Sequence, residues 1–240
     1  MRRTLRPAIV LACLVVVALA VGVAVIASPQ RAAAAAEPTG MWFDAESPAT
    51  TGGDINVSGG LKITTALPGA TVSVYKREVG ESADGLVTEA PLALAPWGNT
   101  FSATIPDVTR TCVLTATWAG TADYLPASYW LIVPVRAKVT VSAPRVSASV
   151  TRLLAKVTPT QPMDAPAFVS IKSPIMVFQR HINGHWRSFT GEGVSSTDGE
   201  SWCSAKYFDL RPGTYVLRAR FLGSNYNAAA VSRAIRITIH

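Results

Sequence analysis

Beyond residue 37 the sequence has no stretch whose apolar residues recur at the three-to-four spacing of an amphipathic helix, which argues against helical layers. It is also poor in the groups that do chemistry. The 240 residues hold three histidines and three cysteines, and charged residues make up only 15%. Catalysis needs a nucleophile, an acid or base, or a metal held in a cleft. No such set is displayed, so the chain reads as a non-enzyme with no cofactor and no metal site. His181 and His185 flank Asn183-Gly184, a two-residue hairpin signal that pairs Ile182 with His185 and His181 with Trp186. Neighbouring pairs project to opposite faces, so the two imidazoles do not converge on one metal. Glu192 and Asp198-Gly199-Glu200 put carboxylates near a loop without a D-x-D-type ligand cluster, and read as a solvated turn rather than a calcium site.

The first 36 residues are of another kind. Arg2, Arg3 and Arg6 precede an apolar run of 20 residues, Ala8 to Ala27, then Ser28-Pro29-Gln30-Arg31 and the small-residue stretch Ala32 to Ala36. Basic, apolar, then small with an A-x-A pattern is the order of a secretory signal, with cleavage expected after about Ala36. The run is also long enough to span a bilayer, so residues 8–27 form an N-terminal membrane anchor if the signal stays uncleaved. In both cases the basic flank remains cytoplasmic and the rest is exported, to the cell surface or beyond it. Arg2-Arg3-Thr4-Leu5-Arg6 only outlines a twin-arginine signal. Val10-Leu11-Ala12-Cys13 resembles a lipoprotein box but comes too early, with the longer apolar stretch after Cys13. Residues 1–36 contain four arginines and no acid; without them 18 basic and 15 acidic groups remain, and the net charge falls from +7 to +3. Nucleic acid is therefore not expected as a partner. What remains is enough for one large or two ordinary domains.

The remainder is built of short β-rich segments punctuated by Gly, Pro, Asn and Asp, the pattern of an all-β sandwich or barrel. Cys112, Leu114, Ala116 and Trp118 alternate with Val113, Thr115 and Thr117. Tyr215, Leu217, Ala219 and Phe221 alternate with Val216, Arg218 and Arg220. Period-2 patterning puts one face on a core and one in water. These two strands also reveal a repeat. Leu114 to Gly120 is followed by Tyr124, and Leu217 to Gly223 by Tyr226; each copy then runs through small residues and a Ser (Ser128, Ser232) into a final strand. Gly120 and Gly223 are 103 residues apart, the size of one immunoglobulin-type sandwich.

The ending strand, Gly, Tyr, small residues, Ser, strand resembles that of bacterial immunoglobulin-like repeat domains, which stand in arrays on large extracellular proteins. Phe178-Gln179-Arg180 with Asn183-Gly184-His185-Trp186 resembles the family's L-Q-R … G-x-W hairpin, and Leu210-Arg211-Pro212-Gly213-Thr214-Tyr215 its Pro-Gly-Thr-Tyr entry to the penultimate strand. Lys156-Val157-Thr158-Pro159 is similar to the end of its second strand. The earlier copy keeps Leu67 to Tyr75 and the Trp118 to Ser128 ending. The resemblance implies two tandem immunoglobulin-like β-sandwich domains, residues 37–136 and 137–240, and a role in adhesion, spacing or assembly without a fixed set of functional residues. Tyr215 is placed like the corner tyrosine of such sandwiches, a position occupied by Cys112 in the earlier copy.

Three further expectations concern surfaces. Leu61 to Leu67, read as the second strand, offers Cys112 no disulfide partner, so Cys112 reads as a small buried residue. Cys203 is read on the opposite face of its strand from Trp202, with Trp202 toward the core, which leaves Cys203 open to an intermolecular bridge. Trp118 and Trp202 read as core and Trp186 as a packing residue. That leaves Trp42, Trp97 and Trp130 for sugar stacking, with Trp97 and Trp130 the stacking candidates of a carbohydrate-binding alternative. Charge divides unevenly: residues 37–136 hold 5 basic and 10 acidic groups, residues 137–240 hold 13 and 5, or −5 against +8. A basic second half suits anionic envelope polymers, glycans or another surface protein. Arg218 and Arg220 alternate outward on one strand. Arg233 and Arg236 are read on the final strand, on opposite faces.

Overall fold

The computed structural model describes residues 36–161, 175–197, 200–208 and 210–240, and contains no helix among them. The first set of strands is β1 (Met41–Ala45), β2 (Ala49–Thr50), β3 (Gly53–Leu61), β4 (Thr71–Glu78), β5 (Gly85–Pro91), β6 (Ala93–Ala95), β7 (Gly98–Val108), β8 (Cys112–Trp118), β9 (Ala127–Val133) and β10 (Val135–Arg136). They form two antiparallel sheets, β1-β3-β7-β6 and β5-β4-β8-β9, while β10 pairs β2 in parallel. The second set is β11 (Lys138–Arg145), β12 (Val150–Thr158), β13 (Ile175–Ile182), β14 (His185–Gly193), β15 (Ser195–Thr197), β16 (Glu200–Phe208), β17 (Gly213–Phe221), β18 (Ala230–Val231) and β19 (Ile235–Ile239). Its sheets run β11-β12-β16-β15 and β14-β13-β17, with β18 and β19 both on β17. Both sets share one strand order, in which the paired inner strands of one sheet face those of the other, as in an immunoglobulin-type sandwich.

Alternation builds each core. In the first, Ile55, Val57 and Ile105 of one sheet are buried together with Val72, Val74, Leu114 and Ala116 of the other. In the second, Leu153, Ala155 and Val157 are buried with Met176, Phe178, Leu217 and Phe221. Full burial of each Val, Leu, Ile, Met or Phe side chain among them favours folding by about 1.5–3 kcal/mol. Cys112, Leu114, Ala116 and Trp118 are all buried, as the alternation requires. On β17, Leu217, Ala219 and Phe221 are buried and Tyr215 is half-buried. The Tyr215 Oη donates to the Arg211 carbonyl at 2.8 Å, and the Arg180 guanidinium lies 4.5 Å from its ring. Gly120 closes the repeat at φ 81°, where a Cβ would stand 2.7 Å from the Tyr124 carbonyl oxygen; Gly223 takes φ 93° in the corresponding turn.

Three expectations need correction. The second strand is Gly53–Leu61, ending where Leu61 to Leu67 was expected to begin. Cys203 is buried and Trp202 half-buried, the reverse of the expected phase. Cys203 pairs in register with Ala155 of β12, and the inward set Leu153, Ala155 and Val157 draws Ser201, Cys203 and Ala205 to the same side. Arg233 precedes β19 in the link from β18, so it is not a strand residue. Asp198 and Gly199 lie outside the described residues.

Between the two cores lies a buried polar joint. The side chain of Asn227, 1% exposed, donates through Nδ2 to the carbonyls of Thr109 (2.9 Å) and Val135 (3.3 Å). Its Oδ1 accepts from Gln161 Nε2 at 3.1 Å. Gln161 is fully buried and engages Pro159, Ser196, Ser201 and Ser224. Backbone bonds from Thr111 N–H to the Tyr226 carbonyl and from Ala228 N–H to the Val135 carbonyl, both 2.8 Å, run alongside. Glu78 holds the turn at 109–111 from behind, accepting the Thr109 N–H (2.9 Å), the Thr109 hydroxyl (2.6 Å) and the Lys76 ammonium (3.3 Å). Burial pushes the Glu78 carboxyl up, but the Thr109 bonds and Lys76 outweigh it and its pKa ends below the ordinary value. That stabilisation is present above the ordinary carboxylate pKa and is lost as pH falls through the lowered one.

Asn227→Ala would remove three hydrogen bonds at the joint at once, leaving the Val135 carbonyl to the Ala228 N–H, the Thr109 carbonyl to the Thr51 hydroxyl and the Gln161 amide to the Pro159 carbonyl. It should destabilise the chain by about 2–4 kcal/mol, measured by chemical denaturation; a loss near zero would mean the joint is open to water.

Candidate functional site

The outward face of the β14-β13-β17 sheet carries the arginines singled out in the sequence. Arg218 pairs in register with Gln179 and donates through Nε to Gln179 Oε1 at 2.8 Å, with its guanidinium 4.1 Å over the Trp186 ring. A cation over an indole is held by the ring quadrupole, so Trp186 packs under Arg218. Burial, then the charge of Arg220, lowers the Arg218 pKa, though a guanidinium starting so high stays charged at neutral pH. Arg220 is exposed on the same face, and Arg236, paired with Val216, joins it there. Arg218, Arg220 and Arg236 therefore share one face, while Arg233 does not.

Arg233 and Arg220 instead line two adjoining grooves. One, of about 560 Å³, lies where the two sets of strands meet and is lined by Thr50, Arg136, Ala137, Arg220 and Val231 among others. The other, of about 610 Å³, runs beside β11 and includes Lys138 and Arg233. Thr50, Ala137 and Val231 border both. Four exposed cations, Arg136, Lys138, Arg220 and Arg233, thus edge these two adjoining grooves, with no carboxylate among their described lining residues. None of the four has an ion-pair partner among the described residues. Arg136 and Lys138 carried no signal of their own in the sequence; the parallel pairing of β10 with β2 sets Arg136 beside Thr50, and Lys138, at the start of β11, lines the groove that Thr50 also borders.

The stacking candidates separate. Trp130, 62% exposed, stands on β9 beside Ile132, on the outer face of the β5-β4-β8-β9 sheet. Trp97, 68% exposed, sits between β6 and β7 of the opposite sheet, so the two cannot form one platform. Trp97 shares its groove with Trp42.

The hairpin at Asn183-Gly184 forms as read, with φ 50° and 80°, and pairs His181 with Trp186 and Ile182 with His185. The His181 ring lies 5.1 Å from the Trp186 ring, and no group of three or more potential metal ligands occurs among the described residues. No family model matches the sequence, and no curated protein matches it. Among solved structures the chain is similar to a marsupial T cell receptor, at 12% identity and a TM-score of 0.32, over 84% of this chain and 73% of that one. A likeness that low leaves the fold to be judged from the sheets themselves.

Cys112 and Cys203 are both free and buried. Burial, then Glu78, pushes the Cys112 thiol up to about 12; burial, then Glu192, pushes Cys203 up to about 11. Neither forms thiolate near neutrality, so a thiol reagent at pH 8 should label neither in the native chain and both after unfolding, read by peptide mapping. Rapid native labelling of Cys203 would restore the exposed orientation and its intermolecular bridge.

Proposed function

We propose that this is an exported surface module, non-enzymatic, of two tandem immunoglobulin-like domains at 37–136 and 137–240 behind a signal or anchor at 1–36. It acts in adhesion, spacing or envelope assembly by holding an anionic polymer. The observation that carries this reading is the pair of adjoining grooves at the junction edged by Arg136, Lys138, Arg220 and Arg233, with no carboxylate among their described lining residues. Four cations without an ion-pair partner among the described residues repel one another, and an anion laid among them relieves that repulsion. Arg218 and Arg236 extend the positive surface along the neighbouring face. The acidic balance of residues 37–136 leaves the other half unfavourable for the same ligand and orients the chain on a charged surface.

A glycerol-phosphate polymer is a suitable probe, with uncharged dextran as control. Screening shortens from about 10 Å at 0.1 M salt to about 3 Å at 1 M, so retention of the full chain should fall steeply between them. The double variant Arg220→Ser/Arg233→Ser should weaken binding about tenfold at low salt, measured by calorimetry. Salt-insensitive binding, or full affinity in that variant, would reduce the charge division to surface composition.

A further inference from the structure

We infer that the outer face of the β1-β3-β7-β6 sheet carries a second site, without cations, one that takes a neutral glycan. The strand register brings Trp42 of β1 and Trp97 of the β6–β7 turn to one open groove of about 490 Å³. Its floor holds Ser58, Thr100 and Ser102, with Ser58 and Ser102 directly opposite each other in the β3–β7 ladder. No lysine, arginine or histidine lines it among the described residues, and the exposed Asp44 of β1 pairs in register with Ser58 at its edge.

The geometry of Trp42 is specific. Gly60 lies beneath it on β3, and a Cβ there would stand 2.7 Å from Trp42 Nε1 and 2.8 Å from the Asn99 carbonyl oxygen. The bare backbone therefore lets the indole rest on the sheet, half-buried and fixed. Trp97 stands free at 68% exposure as the second wall. A pyranose has a flat C–H face that packs on an indole and a rim of hydroxyls that need partners. Serine and threonine hydroxyls each donate and accept, and those of Ser58 and Ser102 have no hydrogen-bond partner among the described residues. Two aromatic walls with a few hydroxyls between them form the composition of a small-ligand site, and the volume falls in the usual range of about 300–1,000 Å³. With no cation in the described lining and Asp44 beside Ser58, an anionic ligand is repelled and a neutral one favoured, and the open sides admit a chain of sugars rather than a single ring.

The site is tested on the full chain by calorimetry and tryptophan fluorescence. The probes are the β-1,4-linked hexamers of glucose and of N-acetylglucosamine, whose equatorial hydroxyls leave the ring faces flat. At least one should bind with equal affinity at 0.1 M and 1 M salt. Trp97→Ala, on an exposed turn, should lose about tenfold or more. Trp130→Ala and Arg220→Ser should bind as the parent does. Binding of neither hexamer, or a loss in Trp130→Ala equal to that in Trp97→Ala, would overturn the site. Both outcomes leave the salt-dependent retention of the phosphate polymer to stand or fall separately.

Discussion

One buried asparagine decides how the two sandwiches combine. Asn227 comes from the loop after β17, yet its amide nitrogen satisfies carbonyls at Thr109 and Val135 of the other sandwich, while its oxygen is held by Gln161 of its own. Every polar atom in the cluster has its partner, and in a low-dielectric interior such a network is far more directional than an apolar contact of the same area. Backbone bonds at Thr111 and Ala228 lie on either side of it. A linker of polar residues alone would let the sandwiches swing, as adjoining domains with small interfaces do. Here the joint instead fixes the turn at 109–111, itself anchored by Glu78, against the loop at 224–228.

The consequences are electrostatic. The depression at the junction takes Arg136 from the connecting segment and Arg220 from β17, and has its shape only if the joint is closed. Lys138 and Arg233 continue it along β11. On the other sandwich the groove of Trp42 and Trp97 is lined by hydroxyls and rings, with no cation among its described residues. The chain thus offers two surfaces that attract by different physics: one long-ranged and weakened by salt, the other short-ranged and indifferent to it. A fixed joint sets the spacing between them.

Much of the framework was legible because alternation is a direct record of facing. Cys112 to Trp118 and Leu217 to Phe221 place their buried sets as written, and Asn183-Gly184 forms the hairpin with the pairing read from it. Where both phases carry apolar residues the record fails. In Trp202-Cys203-Ser204-Ala205 the larger side chain suggested the core, but the partner strand's Leu153, Ala155 and Val157 fix the phase and turn the smaller thiol inward. The strand Gly53–Leu61 was missed because Asp54, Asn56, Ser58, Gly59 and Gly60 dilute it. Gly59 in particular stays bare because a Cβ there would stand 2.4 Å from the Phe101 ring. Long-range joins left no local trace: nothing near Asn227 announces a contact 118 residues away, and Trp42 meets Trp97 only through the register of four strands.

The closed joint is the point on which the junction site stands, and a distance across it measures this most directly. Cys112 and Cys203 are buried, so with Cys13 replaced by Ser the spin labels can be confined to Glu89→Cys on the first sandwich and Thr238→Cys on the second, both exposed positions. Pulsed dipolar spectroscopy should give a single narrow distance peak that broadens when Asn227→Ala is added. A broad distribution in the parent chain, unchanged by that substitution, would show that the sandwiches move freely and that the junction depression is not a standing site.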